Sequence, residues 1–110
     1  MTDPTDASRP PEPDEALTLA GFQGWIRDRY FATDSARGTP ATFLWFIEEV
    51  GELAKAIRSG DPGELAHETS DVLAWLASLA DQLGVDLEAA MARFADGCPK
   101  CGASPCRCAP

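Results

Sequence analysis

Basic residues are scarce in this chain. Nine lysines and arginines stand against 18 aspartates and glutamates among 110 residues, a formal net charge of −9. That balance argues against a non-specific nucleic-acid binder or a binder of anionic membranes, unless divalent cations reverse the sign locally. Long apolar runs are absent, so no segment is suited to span a bilayer. The amino terminus lacks the basic-then-apolar pattern of a secretion signal, and a cytoplasmic location is expected. No stretch alternates with the period of a strand, and no internal repeat is visible.

What is present is helical. Residues 1–16, MTDPTDASRPPEPDEA, hold four prolines and five acids and are expected to be a disordered tail. Residues 17–96 form the expected helical domain, and residues 97–110 a cysteine-rich tail. The first helix is expected from about Pro13 to Phe31, with Leu19, Phe22, Ile26 and Tyr30 as its apolar stripe, followed by a link from Thr33 to Gly38. Thr39, as N-cap, and Pro40 open a second helix that ends at Gly60. Asp61 opens a third, with Glu64 placed to close a capping box, and Gly84 ends it. A fourth, shorter helix runs from near Asp86 to Gly97. Short links make neighbours antiparallel. The expected fold is an all-α bundle of about four helices, completed by dimerisation.

Acidic residues recur at helical spacing. Glu48-Glu49-x-x-Glu52 lies on the second helix and Glu68-x-x-Asp71 on the third. A spacing of three puts two carboxylates on one face, one turn apart. On the second helix Phe43, Phe46, Val50, Leu53 and Ile57 follow the core period, while Trp45, Glu49 and Glu52 share another face with Glu48 beside them. On the third, Leu65, Val72, Leu76 and Leu79 look inward, and Glu64, Glu68, Asp71 and Trp75 line another side. Carboxylates facing one another repel more strongly as water is excluded. Mg²⁺ relieves this and takes phosphate oxygens as further ligands. The competing reading, two solvated acidic faces, is weakened by the shortage of basic partners one turn away.

The run FLWFIEEVGELAKAI followed by HETSDVLAWL resembles the MazG-like all-α nucleoside triphosphate pyrophosphohydrolases, whose signature is E-E-x-x-E and then E-x-x-D. The similarity spans residues 19–95. It implies Mg²⁺-dependent cleavage between the α- and β-phosphates, giving a nucleoside monophosphate and pyrophosphate. It also implies a homodimer or a dimer of dimers. Carried over, Glu49, Glu52, Glu68 and Asp71 are the implied Mg²⁺ ligands, and Glu48 helps orient or deprotonate the attacking water. The residue types fit this chemistry independently, since metal-activated water and a nearby carboxylate base suffice for attack on phosphorus. The sole histidine, His67, reads as a surface residue.

Trp45, one turn before Glu49, and Trp75, one turn after Asp71, are expected at the same end of the acidic groove and could stack on a base. Each taken singly also suits a core or interface position. Gln23 and, more weakly, Trp25 are further substrate-facing candidates. Basic residues for the phosphates are few: Lys55, Arg58, Arg93 and Lys100. All four cysteines, Cys98, Cys101, Cys106 and Cys108, fall within eleven residues. Four thiolates suit a closed, structural Zn²⁺ site, although Cys-x-Cys is a less usual second half; a redox tail or an iron–sulfur site are the alternatives. The competing function is a non-catalytic dimeric binding or regulatory module with a structural zinc tail. The intact set of five carboxylates argues against it.

Overall fold

The computed structural model describes residues 17–110; the expected acidic tail, residues 1–16, and the expected helix start at Pro13 lie outside them. Four α-helices follow in order: α1 (Leu19–Arg37), α2 (Thr39–Ser59), α3 (Pro62–Leu83) and α4 (Leu87–Met91). A 3₁₀ turn, Ala92–Phe94, extends α4. No strand occurs among the described residues.

Capping chemistry sets the boundaries. Thr18 accepts from the Gly21 N–H at 2.9 Å and starts α1. The expected link from Thr33 to Gly38 is corrected: α1 runs on through Arg37. The extra turns are held by Asp34, which is buried. Its carboxylate accepts from Arg37 Nη1 at 2.8 Å, and its carbonyl accepts from Gln82 on α3. Gly38, at φ 90°, turns the chain directly into α2, so Thr39 is the first helical residue rather than the cap. Gly60 and Gly84 end α2 and α3 in the left-handed conformation. The Asp61 carboxylate caps α3 by accepting from the Glu64 N–H at 2.9 Å. Glu64 does not close a capping box; its carboxylate accepts instead from the Ser59 hydroxyl at 2.8 Å. The α4 helix is shorter than expected, with Asp86 as its cap.

The core lies where α1, α3 and α4 meet. Ile26, Ala77, Ala80 and Leu87 are buried there, with Leu19, Phe22 and Ala74 against them. Gln23 ties the junction together. Its Nε2 donates to Asp81 at 2.9 Å and to the Val85 carbonyl at 2.7 Å, and its Oε1 accepts from the Leu87 N–H at 2.9 Å.

The expected core stripe of α2 is corrected. Phe43, Val50 and Ile57 are exposed, together with Leu44 and Ile47, and Tyr30 of α1 and Leu76 of α3 are also exposed. The residues of α2 that are buried are Thr42 and Ala56. Trp45, Glu49 and Glu52 fall between these two at alternating steps of three and four, so they share their face. The more polar face of α2 therefore packs on α3, and the apolar face points away from the described fold.

Candidate active site

The α2–α3 packing brings the two acidic motifs together. Glu49 carries the clearest mark of it. Its carboxyl is held above the ordinary value first by partial burial, then by the charges of Asp71 and Glu68, by a hydrogen bond to Glu68, and by the charge of Glu52. Four carboxylates from two helices thus share one neighbourhood, as their spacing anticipated. Glu48 stands beside them on the exposed side of α2. Lys55 Nζ lies 3.4 Å from Glu52 Oε1 and is two-thirds exposed, a weak, solvent-screened partner.

His67 is a surface residue, but it is not idle. Its Nε2 lies 3.3 Å from Asp71 Oδ2. One ligand atom from each of His67, Glu68 and Asp71 falls within a 4.8 Å spread, close enough to contact a single cation. The donor set fits a hard divalent ion: carboxylate oxygens crowd together, and Glu49 is driven towards its neutral form in the absence of a counter-charge.

The two tryptophans meet at one end of this cluster. The rings of Trp45 and Trp75 stack at 6.0 Å between centroids, with 16° between their planes. Arg37 lies over Trp75 at 5.1 Å. A cavity of about 250 Å³ opens beside them between α1 and α3, lined by Tyr30, Asp34, Arg37, Asp71, Trp75 and Ser78. Asp71 belongs both to this cavity and to the acidic cluster. Sequence reasoning missed Asp34 and Arg37 because it ended α1 early, and it read Tyr30 only as part of the apolar stripe. The signal was there: Ile26, Tyr30, Asp34 and Arg37 continue one helical stripe, and Asp34 and Arg37 form an i,i+3 pair.

Other candidates are placed elsewhere. Gln23 is buried and its amide is fully engaged at the α1–α3–α4 junction. Trp25 carries Arg29 over its ring at 5.9 Å. Arg93 sits over Phe94 beyond α4.

The sequence profile of the MazG nucleotide pyrophosphohydrolase domain matches residues 38–100. The chain belongs to this family. The MazG match takes in α2, α3 and α4, hence both acidic motifs, and leaves out α1 and the last three cysteines. The uncharacterized protein YvdC of Bacillus subtilis (strain 168) is 32% identical over 92 residues, covering 68% of this chain and 87% of YvdC.

A second cluster of possible ligands follows the MazG helices. The sulfurs of Cys98, Cys101, Cys106 and Cys108 all lie within 4.8 Å of one another. Cys98 and Cys108 are 3.7 Å apart, and Cys101 and Cys106 4.0 Å. These spacings are far too long for disulfides. They match the edge of a tetrahedron of sulfurs around Zn²⁺, roughly 3.8 Å for Zn–S bonds of about 2.3 Å. The backbone builds the cradle. Gly102 N–H donates to the Cys98 carbonyl at 2.7 Å, and Cys98 N–H to the Ala103 carbonyl at 2.9 Å. Gly97 permits this closure: at φ 128°, a Cβ there would sit 2.7 Å from the Gly102 carbonyl oxygen. The Arg107 N–H and then the Ala103 N–H stabilise the Cys101 thiolate, lowering that thiol to about 6. Backbone N–H groups of Cys101 and Lys100 lower Cys98 as well. Cys108 is pushed up to about 11 by its thiol neighbours, Cys106 first.

Proposed function

We propose that this protein is a Mg²⁺-dependent nucleoside triphosphate pyrophosphohydrolase, converting a ribo- or deoxyribonucleoside triphosphate to the monophosphate and pyrophosphate. The observation that supports it most is that Glu49 of α2 lies among the charges of Glu68 and Asp71 of α3 and of Glu52, beside a His67, Glu68 and Asp71 set close enough to share one cation. Among the described residues the one lysine paired with these acids, Lys55, is largely exposed. In this reading those four residues hold Mg²⁺, and His67 orients Asp71 from the rim. When bound, the metal supplies charge neutralisation at the phosphates and activates water. Glu48, on the solvent side, accepts the proton of the attacking water as general base. Trp75, with Trp45 stacked on it, offers aromatic surface to the base, and Lys55 stands near the phosphates. Family membership makes a nucleotide the natural substrate class.

The test is pyrophosphate release from a panel of standard and modified nucleoside triphosphates, with MgCl₂ or with EDTA. Release is expected with Mg²⁺ alone, and Glu52→Gln is expected to lower it to the EDTA level while thermal unfolding stays cooperative. Release indifferent to EDTA would count against the metal site.

The four cysteines are proposed to hold one structural Zn²⁺. Four ligands leave no open position for chemistry, and the cradle lies outside the acidic cluster. Elemental analysis is expected to give about one zinc per chain. Cys101→Ser is expected to lose it while Mg²⁺-dependent turnover persists at moderate temperature. A metal-free protein with the tail still ordered would refute the site.

A further inference from the structure

We propose that Arg37 determines base specificity, donating to the acceptor edge of a nucleobase held in the cavity between α1 and α3. The inference rests on the pyrophosphohydrolase reading and deepens it. Asp71 fixes the polarity of the ligand. It belongs to the acidic cluster, where the metal and phosphates would lie, and also to the wall of the cavity. A nucleotide whose phosphates meet the cluster therefore has its nucleoside end directed towards this space. The volume, about 250 Å³, and the lining suit a flat heteroaromatic ring: Tyr30 and Trp75 offer aromatic surface, and Ser78 and Arg37 offer donors.

Arg37 has the attributes of a reader rather than of a phosphate clamp. Its charge is already compensated by Asp34, which accepts from Nη1 at 2.8 Å. Asp34 itself is buried, and its carbonyl is held by Gln82 and by the Gly38 N–H. The guanidinium is thus fixed on one side by this carboxylate and rests against the Trp75 ring on a face. Among the described residues Asp34 is the one acceptor to which Arg37 donates, so the rest of its planar fork remains for a ligand. A neutralised, oriented guanidinium suits paired acceptors in a ring plane, such as O2 and N3 of cytosine or O6 and N7 of guanine. Arg37 also lies just outside the segment that the family profile matches. Base choice can accordingly differ between this chain and others carrying the same acidic motifs.

The experiment compares wild type with Arg37→Ala and Arg37→Lys on the standard nucleoside triphosphates and on inorganic triphosphate, which has no base. Turnover is followed with Mg²⁺, and binding with Ca²⁺ in its place, from quenching of tryptophan fluorescence. For the preferred nucleotide, KM is expected to rise about 10-fold or more in Arg37→Ala, with kcat within about twofold. The ratio between best and worst base should narrow in both variants, since lysine keeps the charge but loses the fork. Binding of inorganic triphosphate should not change. Equal losses for every base and for inorganic triphosphate would make Arg37 a phosphate contact and overturn the proposal; an unchanged base preference would overturn it too. Should Arg37→Ala fail to fold by circular dichroism, Arg37→Lys carries the test. Base-dependent binding lost in the variants without any turnover in wild type would leave Arg37 in place and remove the hydrolytic reading. Mg²⁺-dependent turnover with unaltered preference in the variants would do the reverse.

Discussion

Glu49 condenses the chemistry of the site into one titration. Burial and three neighbouring carboxylates make its folded form hold a proton more tightly than the ordinary 4.5 allows. The folded state then binds more protons than the unfolded chain between 4.5 and the raised value, and stability falls as pH rises through that window. This contribution is fully present below 4.5 and lost above the raised value. A divalent ion competes for the deprotonated carboxylate, so its benefit grows over the same interval. The melting temperature of metal-free protein is expected to drop between about pH 4 and about pH 7 by more than that of Glu49→Gln. The gain on adding MgCl₂ should be larger at the higher pH, and Glu49→Gln should abolish most of it. Parallel melting curves for wild type and variant across this range, with and without the metal, would show that the four carboxylates do not act on one another. Glu49 and its partners were legible in the sequence because a spacing of three on a helix is a geometric fact. His67 was harder to read. It is adjacent to Glu68 in sequence, but its partner is Asp71, one turn on.

At the scale of the element, caps decide where each helix stops, and so which side chains face the site. Asp61 fixes the start of α3, seven residues before Glu68. Replacing it with alanine removes the acceptor for the Glu64 N–H and is expected to cost about 1 kcal/mol, read as a lower urea midpoint with an unchanged slope. Asp61→Asn should recover most of it, because asparagine caps about as well. Equal midpoints for Asp61→Ala and wild type would mean that the helix start is set by packing instead. Such caps made α2 and α3 readable: Gly60, Asp61 and Gly84 lie where expected. The end of α1 was not readable by the same rule. Thr33, Asp34 and Ser35 look like turn residues, and only the tertiary bond from Gln82 to Asp34, with burial of the Asp34 carboxylate, shows why the helix continues. The inward face of α2 was misread for a related reason. Apolar periodicity finds a face that avoids water without saying whether the same chain covers it. Here the acids took the place against α3, and Phe43, Val50 and Ile57 were turned outward.

The whole molecule follows from that inversion. Among the described residues the buried hydrophobic side chains are Ile26, Ala56, Ala77, Ala80 and Leu87, three of them alanines, and the largest fully buried side chain is Thr42. Against this small core stand Phe43, Leu44, Ile47, Val50 and Ile57 on one helix, with Leu44 69% and Ile57 63% exposed. An apolar helix face of this kind marks an interaction surface, and burying each such side chain would contribute about 1.5–3 kcal/mol. A second copy presenting the same face would satisfy both chains at once through a two-fold axis. Because α2 carries Glu49 and Glu52 on its opposite side, that contact would brace the acidic cluster from behind. The protein is therefore expected to be a homodimer or larger by light scattering at micromolar concentration. Leu44→Glu or Ile47→Glu should shift it towards monomer, lower its melting temperature and weaken Mg²⁺-dependent turnover, although neither residue is among the carboxylates proposed to hold the metal. Lys55→Ala, on a different part of α2, should leave the mass unchanged. A monomer with an ordinary melting temperature, indifferent to both glutamate substitutions, would mean that something other than a second copy protects this face. In that case the small core would have to be sufficient by itself, against the general expectation for so small a domain.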